Sequence, residues 1–198
     1  MTLTNFKKAA MFGLDARIAL AIFGALSVIS GAALYSAIKQ AKVIAEVTQM
    51  NEYAKALEAY ILDTGGDLPF GSGLSADTQE LISSTASGWN GPYIDGSDYS
   101  LVFVSHPKYT WFTFDLAPDD SFTYSPDVKT CKDASNAGKT CYYWLVFDEM
   151  PDQMAIDLEA YIDGDNDPAN GKFRYGQGGR PAGSKITYYK LQPTITKY

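Results

Sequence analysis

Histidine occurs once in this 198-residue chain, at position 106, and cysteine twice, at 131 and 141. A three- or four-ligand zinc site is hard to build from that inventory. The chain contains no Gly-x-Ser-x-Gly, and its single histidine stands before a proline, so nucleophilic catalysis has little to work with. The cysteines are not spaced Cys-x-x-Cys, which argues against a redox-active pair. Basic residues number 16 against 23 acidic ones, a net charge of −7. Phosphate neutralisation needs clustered Lys and Arg, so no nucleic-acid partner is expected. "GQGGRPAG" (176–183) is glycine-rich but lacks the strand-to-helix setting of a phosphate loop, and reads as a hairpin tip.

Two local absences organise the chain. Ile18 to Ile38 holds no charge, and Val43 to Leu62 holds neither glycine nor proline. The first run would rise about 31 Å as a helix, the thickness of a bilayer's hydrocarbon. Lys7 and Lys8 precede it, which places the N-terminus in the cytoplasm by the positive-inside rule. Three readings compete: a cleaved secretory signal, a plain signal anchor, and a segment cut ahead of the apolar run with the helix retained.

The helical pattern continues past the apolar run. Val43, Val47, Met50, Ala54, Leu57 and Ile61 recur in steps of three and four, with Lys42, Glu46, Gln49, Glu52, Lys55 and Glu58 between them. This predicts an amphipathic half. It stops at "DTGGDLP", where Gly65, Gly66 and Pro69 break the helix. One helix over 14–63 is expected.

A short basic leader, a cut, four residues, an acid and then an apolar helix: in these features the sequence resembles the type IV pilin and type II secretion pseudopilin family. With Asp15 on the family's acidic fifth position, the leader is 1–10 and the cut falls between Ala10 and Met11. A cut after Gly13, before Leu14, is the alternative and makes the leader 1–13. With the cut before Met11, Gly24 falls on a glycine that the family often carries. Three positions depart from the pattern: Ala10 where glycine usually ends the leader, Asp15 where glutamate is usual, and no proline near Ala32.

The resemblance implies a structural, non-enzymatic subunit in three parts: the leader, an assembly helix over 11–64, and a soluble β-rich domain over 65–198. It implies processing by a prepilin peptidase and residence as a single pass in a bacterial inner membrane. It further implies transfer by an inner-membrane assembly platform into a periplasmic or extracellular filament of copies of itself and other pilins. In that filament Asp15 would meet the new α-amine of a neighbour. An unpaired carboxylate in hydrocarbon costs at least ~2.5–3.5 kcal/mol, so the meeting would set the axial register. The plainer reading has Asp15 and Arg17 snorkel at the membrane surface. The alternatives to a filament shaft are a minor or tip pilin that binds a surface or substrate and, further off, a membrane-tethered enzyme.

Beyond the glycine break, Ser75 is expected to cap a short helix through Leu81 and Ile82. "GWNGPYI" resembles a stretch that follows the long helix in major pseudopilins; physically it is a Gly-Pro turn between core aromatics. Strands are predicted at 99–105, 109–116, 121–125, 141–147, 171–176 and 184–191, all rich in aromatic and β-branched residues. His106-Pro107 should form a turn. A second helix is predicted at 151–164, with Pro151 at its first position and Ala155, Leu158 and Ile162 inward. The fold class is α+β, a long helix packed on a small antiparallel sheet.

Cys131 and Cys141 enclose a polar loop and read as one disulfide in an exported domain, with two free thiols as the alternative. In "DGDNDPANG", Asp163, Asp165 and Asp167 alternate, a spacing that suits hard oxygen ligation of Ca²⁺. The EF-hand glycine position holds Pro168 and the twelfth position holds Arg174, so a solvated turn is the competing reading.

Overall fold

The computed structural model describes residues 4–119 and 130–198, with side chains from Asp15 onward. The predicted strand at 121–125 lies outside the described residues, as do the side chains at both cutting points. The chain forms two compact units, Met1–Ile44 and Ala45–Tyr198.

A single helix, α1 (Thr4–Thr64), supplies the first unit and enters the second. It ends where the glycines were read to end it. Gly65 takes φ +70°, and its N–H caps the carbonyl of Ile61 at 2.9 Å. That conformation is cheap for glycine and strained for other residues.

In the second unit, strands β1 (Phe70–Ser72), β2 (Ser75–Ala76), β3 (Asp98–Ser100), β4 (Phe103–Ser105), β5 (Trp111–Pro118), β6 (Cys141–Pro151), β7 (Phe173–Gly176) and β8 (Ser184–Pro193) form one sheet among the described residues. A short helix, α2 (Asp152–Ile162), lies between β6 and β7. The main path runs β1-β2-β5-β6-β8-β7, with β4 pairing both β5 and β3. Every pairing is antiparallel. The fold is α+β.

Alternation along β5 and β6 gives the sheet two buried faces. Phe112, Phe114, Tyr143, Leu145 and Phe147 share one, and residues 46–61 of α1 cover it. Tyr53 stacks on Phe112 with ring centroids 4.3 Å apart, and Met50, Leu57 and Tyr60 are buried beside it. Trp144, Val146, Ile186 and Tyr188 form a separate cluster, with the Arg174 guanidinium over the Trp144 ring at 4.6 Å.

The structure corrects five expectations. The residues read as one strand at 99–105 form a hairpin of β3 and β4, turning at Leu101 with φ +48°. Ser75 caps nothing. It lies in β2 opposite Asp115, and its hydroxyl donates to that buried carboxylate at 2.6 Å. An unpaired carboxylate there would be costly, and this need outweighs any capping preference. Asp77 caps the 3-10 turn Thr78–Leu81 instead, accepting from the Gln79 N–H. Pro151 precedes α2 rather than opening it, and Ile162 is only half-buried. Lastly, β6 runs four residues past its expected end because Glu149, at φ +57°, takes up a bulge that keeps Met150 and Pro151 paired to β8.

"GWNGPYI" serves as a clamp on the end of α1. Tyr93 Oη donates to Asp63 Oδ2 at 2.8 Å and its ring meets Tyr60 edge-on, while Trp89 Nε1 fixes the stretch to the 3-10 turn by donating to the Glu80 carbonyl at 2.9 Å. Gly88, at φ +86°, lies so close that a Cβ there would collide with the Asp63 carbonyl.

Cys131 and Cys141 are disulfide-bonded. The closed loop is short, so the loop-entropy contribution is under about 3 kcal/mol.

Candidate functional site

The first unit presents its apolar side chains outward. Leu20 and Phe23 are each 71% exposed, and Val28 and Tyr35 each 73%, so this unit offers them no partner of its own. Among the described residues, α1 is the one helix long and apolar enough to cross a membrane. The Ser27 hydroxyl donates to the Phe23 carbonyl at 2.8 Å, which satisfies it within the helix. Gly24 and Gly31 have open space where a Cβ would be, so either can admit a close neighbour. Asp15 and Arg17 are both exposed and have no ion-pair partner among the described residues.

In the second unit the polar side chains are largely committed to structure. His106 Nδ1 accepts the N–H groups of Lys108 and Tyr109 at 3.2 and 3.1 Å. The ring proton is therefore on Nε2, which faces the Gln49 carboxamide at 3.1 Å. The structure sets the carboxamide nitrogen at that distance, and since two donors cannot share a hydrogen bond, the amide must turn its oxygen to the imidazole to satisfy it. Glu46, assigned to the polar face of the helix, is buried and pairs with Lys108 Nζ at 2.6 Å. Burial pushes the His106 pKa down to about 4, against the pull of Glu46.

The unfolded imidazole takes up a proton near pH 6.5 and the folded one does not until about 4. Stability is thus fully present above pH 6.5 and falls as pH drops toward 4. His106→Asn, whose side-chain oxygen can accept the same two N–H groups, should flatten that limb. Thermal unfolding of both proteins between pH 4 and 7 checks this.

The three alternating aspartates do not come together as a metal-holding group; no three His, Cys, Asp or Glu side chains do so among the described residues. Each carboxylate is turned on its own loop. Asp163 accepts the N–H groups of Lys172 and Phe173 at 3.0 and 2.8 Å, with Gly171 packed against it. Asp165 accepts from the Asp167 N–H at 3.0 Å, and Asp167 from Ala169 N–H and Asn170 Nδ2. Arg174 leaves the loop for the sheet and pairs with Asp119 at 2.6 Å, where Lys190 also binds at 2.9 Å. Glu159 of α2, absent from the predicted inward set, sits four residues after Ala155 on the inward stripe and is buried; its carboxylate oxygens accept no hydrogen bond among the described residues, and burial and the loop's aspartates raise its pKa to about 8.

A second carboxylate clamp joins distant parts of the unit. Asp67 accepts from Tyr143 Oη at 3.1 Å and from the N–H groups of Ile195 and Thr196 at 3.0 and 2.7 Å. A groove of about 240 Å³ beside β8 is lined by Asn51, Glu58, Lys172 and Lys190, which form no nucleophile–base pair. The most unsatisfied surface described is thus the apolar run of α1. No family model matches the chain, and neither does any curated protein or solved structure.

Proposed function

We propose that this chain is a structural subunit of a type IV pilus-like filament or type II secretion pseudopilus, assembled through α1. The apolar side chains exposed on residues 18–38 support this reading most directly. They favour lipid first, and then the equally apolar helices of other copies. Since lipid tails are as apolar as leucine, close packing rather than hydrophobicity must favour the second environment. Ser27, Gly24 and Gly31 are small enough to permit it. The resemblance adds a bacterial inner-membrane location with the N-terminus cytoplasmic, processing by a prepilin peptidase and methylation of the new terminus.

Intact-mass analysis and N-terminal sequencing of protein extracted from membranes of the producing cell test the proposal. A new terminus at Met11, or at Leu14, is expected, together with wild-type protein in the pellet of sheared filaments. Retention of Met1 with no pelletable polymer would overturn it.

A further inference from the structure

We propose that Arg17 of one copy is the counter-ion of Asp15 in a neighbouring copy, a pairing that rests on the filament reading and names what sets its register. The two residues lie two positions apart on α1. Their side chains therefore leave the helix about 200° apart, a spacing at which they cannot meet within one chain. Neither has a partner among the described residues, and both stand at the entrance to an uncharged, exposed apolar run.

Packing identical helices through that run removes water from both charges, and each then needs an opposite charge. A contact between like faces would set Asp15 against Asp15. Copies related by a screw operation meet through unlike faces, which lets the Asp15 side of one lie against the Arg17 side of the next. Every copy then contributes one anion and one cation, and the row stays balanced at any length. The guanidinium can give the carboxylate two parallel N–H bonds, and its long stem spans an axial offset that Asp15 cannot.

The test uses the full chain in cells where wild-type protein pellets with sheared filaments. Asp15→Ala, Arg17→Ala, Arg17→Lys and the exchange Asp15→Arg with Arg17→Asp are compared. Intact mass confirms that each is inserted and processed. The single alanine variants should fall at least about tenfold in the pellet and Arg17→Lys less, while the exchange should return to within about threefold of wild type. As a geometric readout, Asp15→Cys and Arg17→Cys copies are produced together with wild-type protein, which carries the assembly, and the pelleted filaments are treated with a short bismaleimide. Mixed cross-links should exceed like-with-like ones; the native cysteines are occupied by their disulfide.

If Arg17→Ala pellets like wild type while Asp15→Ala does not, Asp15 takes another cation, such as the new α-amine, and the pairing is wrong while the filament reading stands. An exchange variant as defective as the single ones, or a majority of like-with-like cross-links, also overturns the pairing. Wild-type protein that never pellets defeats both.

Discussion

Gly88→Ala is expected to cost about 3 kcal/mol, from a strained backbone and a steric overlap together. For a protein of this size that is a drop of roughly 6–12 °C in melting temperature. The residue sits at φ +86°, and its missing side chain makes room for the Asp63 carbonyl at the end of α1. Backbone at both sides of the contact leaves nothing flexible to give way. Gly65→Ala is the control: φ is +70° there, but no atom lies within 4 Å of a Cβ. It should therefore cost only the conformational part, about 1 kcal/mol. Equal losses for the two variants, read by thermal unfolding, would show that the close approach carries no weight.

Glu159→Gln should act in the opposite direction, raising stability at pH 8 by about 1–3 kcal/mol. The carboxylate is fully buried, and its oxygens accept no hydrogen bond among the described residues. Burial first, and then Asp163, Asp165 and Asp167, raise its pKa from 4.5 to about 8. In the folded chain it holds a proton that the unfolded chain has released. Wild-type stability therefore declines as pH rises from about 4.5 through about 8. The amide keeps the shape, carries no charge and offers N–H donors to the neighbouring carboxylates. The gain should be largest at pH 8 and vanish near pH 4.5. A glutamine variant that melts below wild type at pH 8 would mean that the charged form has a role here.

Much of the architecture was legible in residue spacing. Three- and four-residue steps marked Met50, Leu57 and Ile61 as the inward stripe of α1, and Gly65-Gly66 marked its end. The aromatic runs located β5, β6 and β8, with ends shifted by up to four residues. Interactions across the fold were not legible. Glu46 read as a surface charge because of its side chain, although it lies three residues after Val43 and four before Met50 on the inward stripe; Lys108 is what lets it stay there. Glu159 lies likewise four after Ala155 and three before Ile162, so position pointed inward while chemistry did not. Likewise, the spacing of the alternate aspartates suggests cation ligands but does not show the loop's own N–H groups that they accept. Once Lys172, Phe173 and Ala169 donate to them, the same residues read as a self-bonded turn. Asp15 and Arg17 differ from all of these: the sequence shows their charge, and neither has an ion-pair partner among the described residues.

The covalent staple between Cys131 and Cys141 encloses an exposed stretch with a lysine near each end, Lys132 and Lys139. A protease can cut beside either one without freeing a fragment. The severed ends stay tethered, with β6 still laced to β5. A chain nicked there keeps its place in the sheet while the disulfide is intact; reduction leaves the halves held by strand pairing alone.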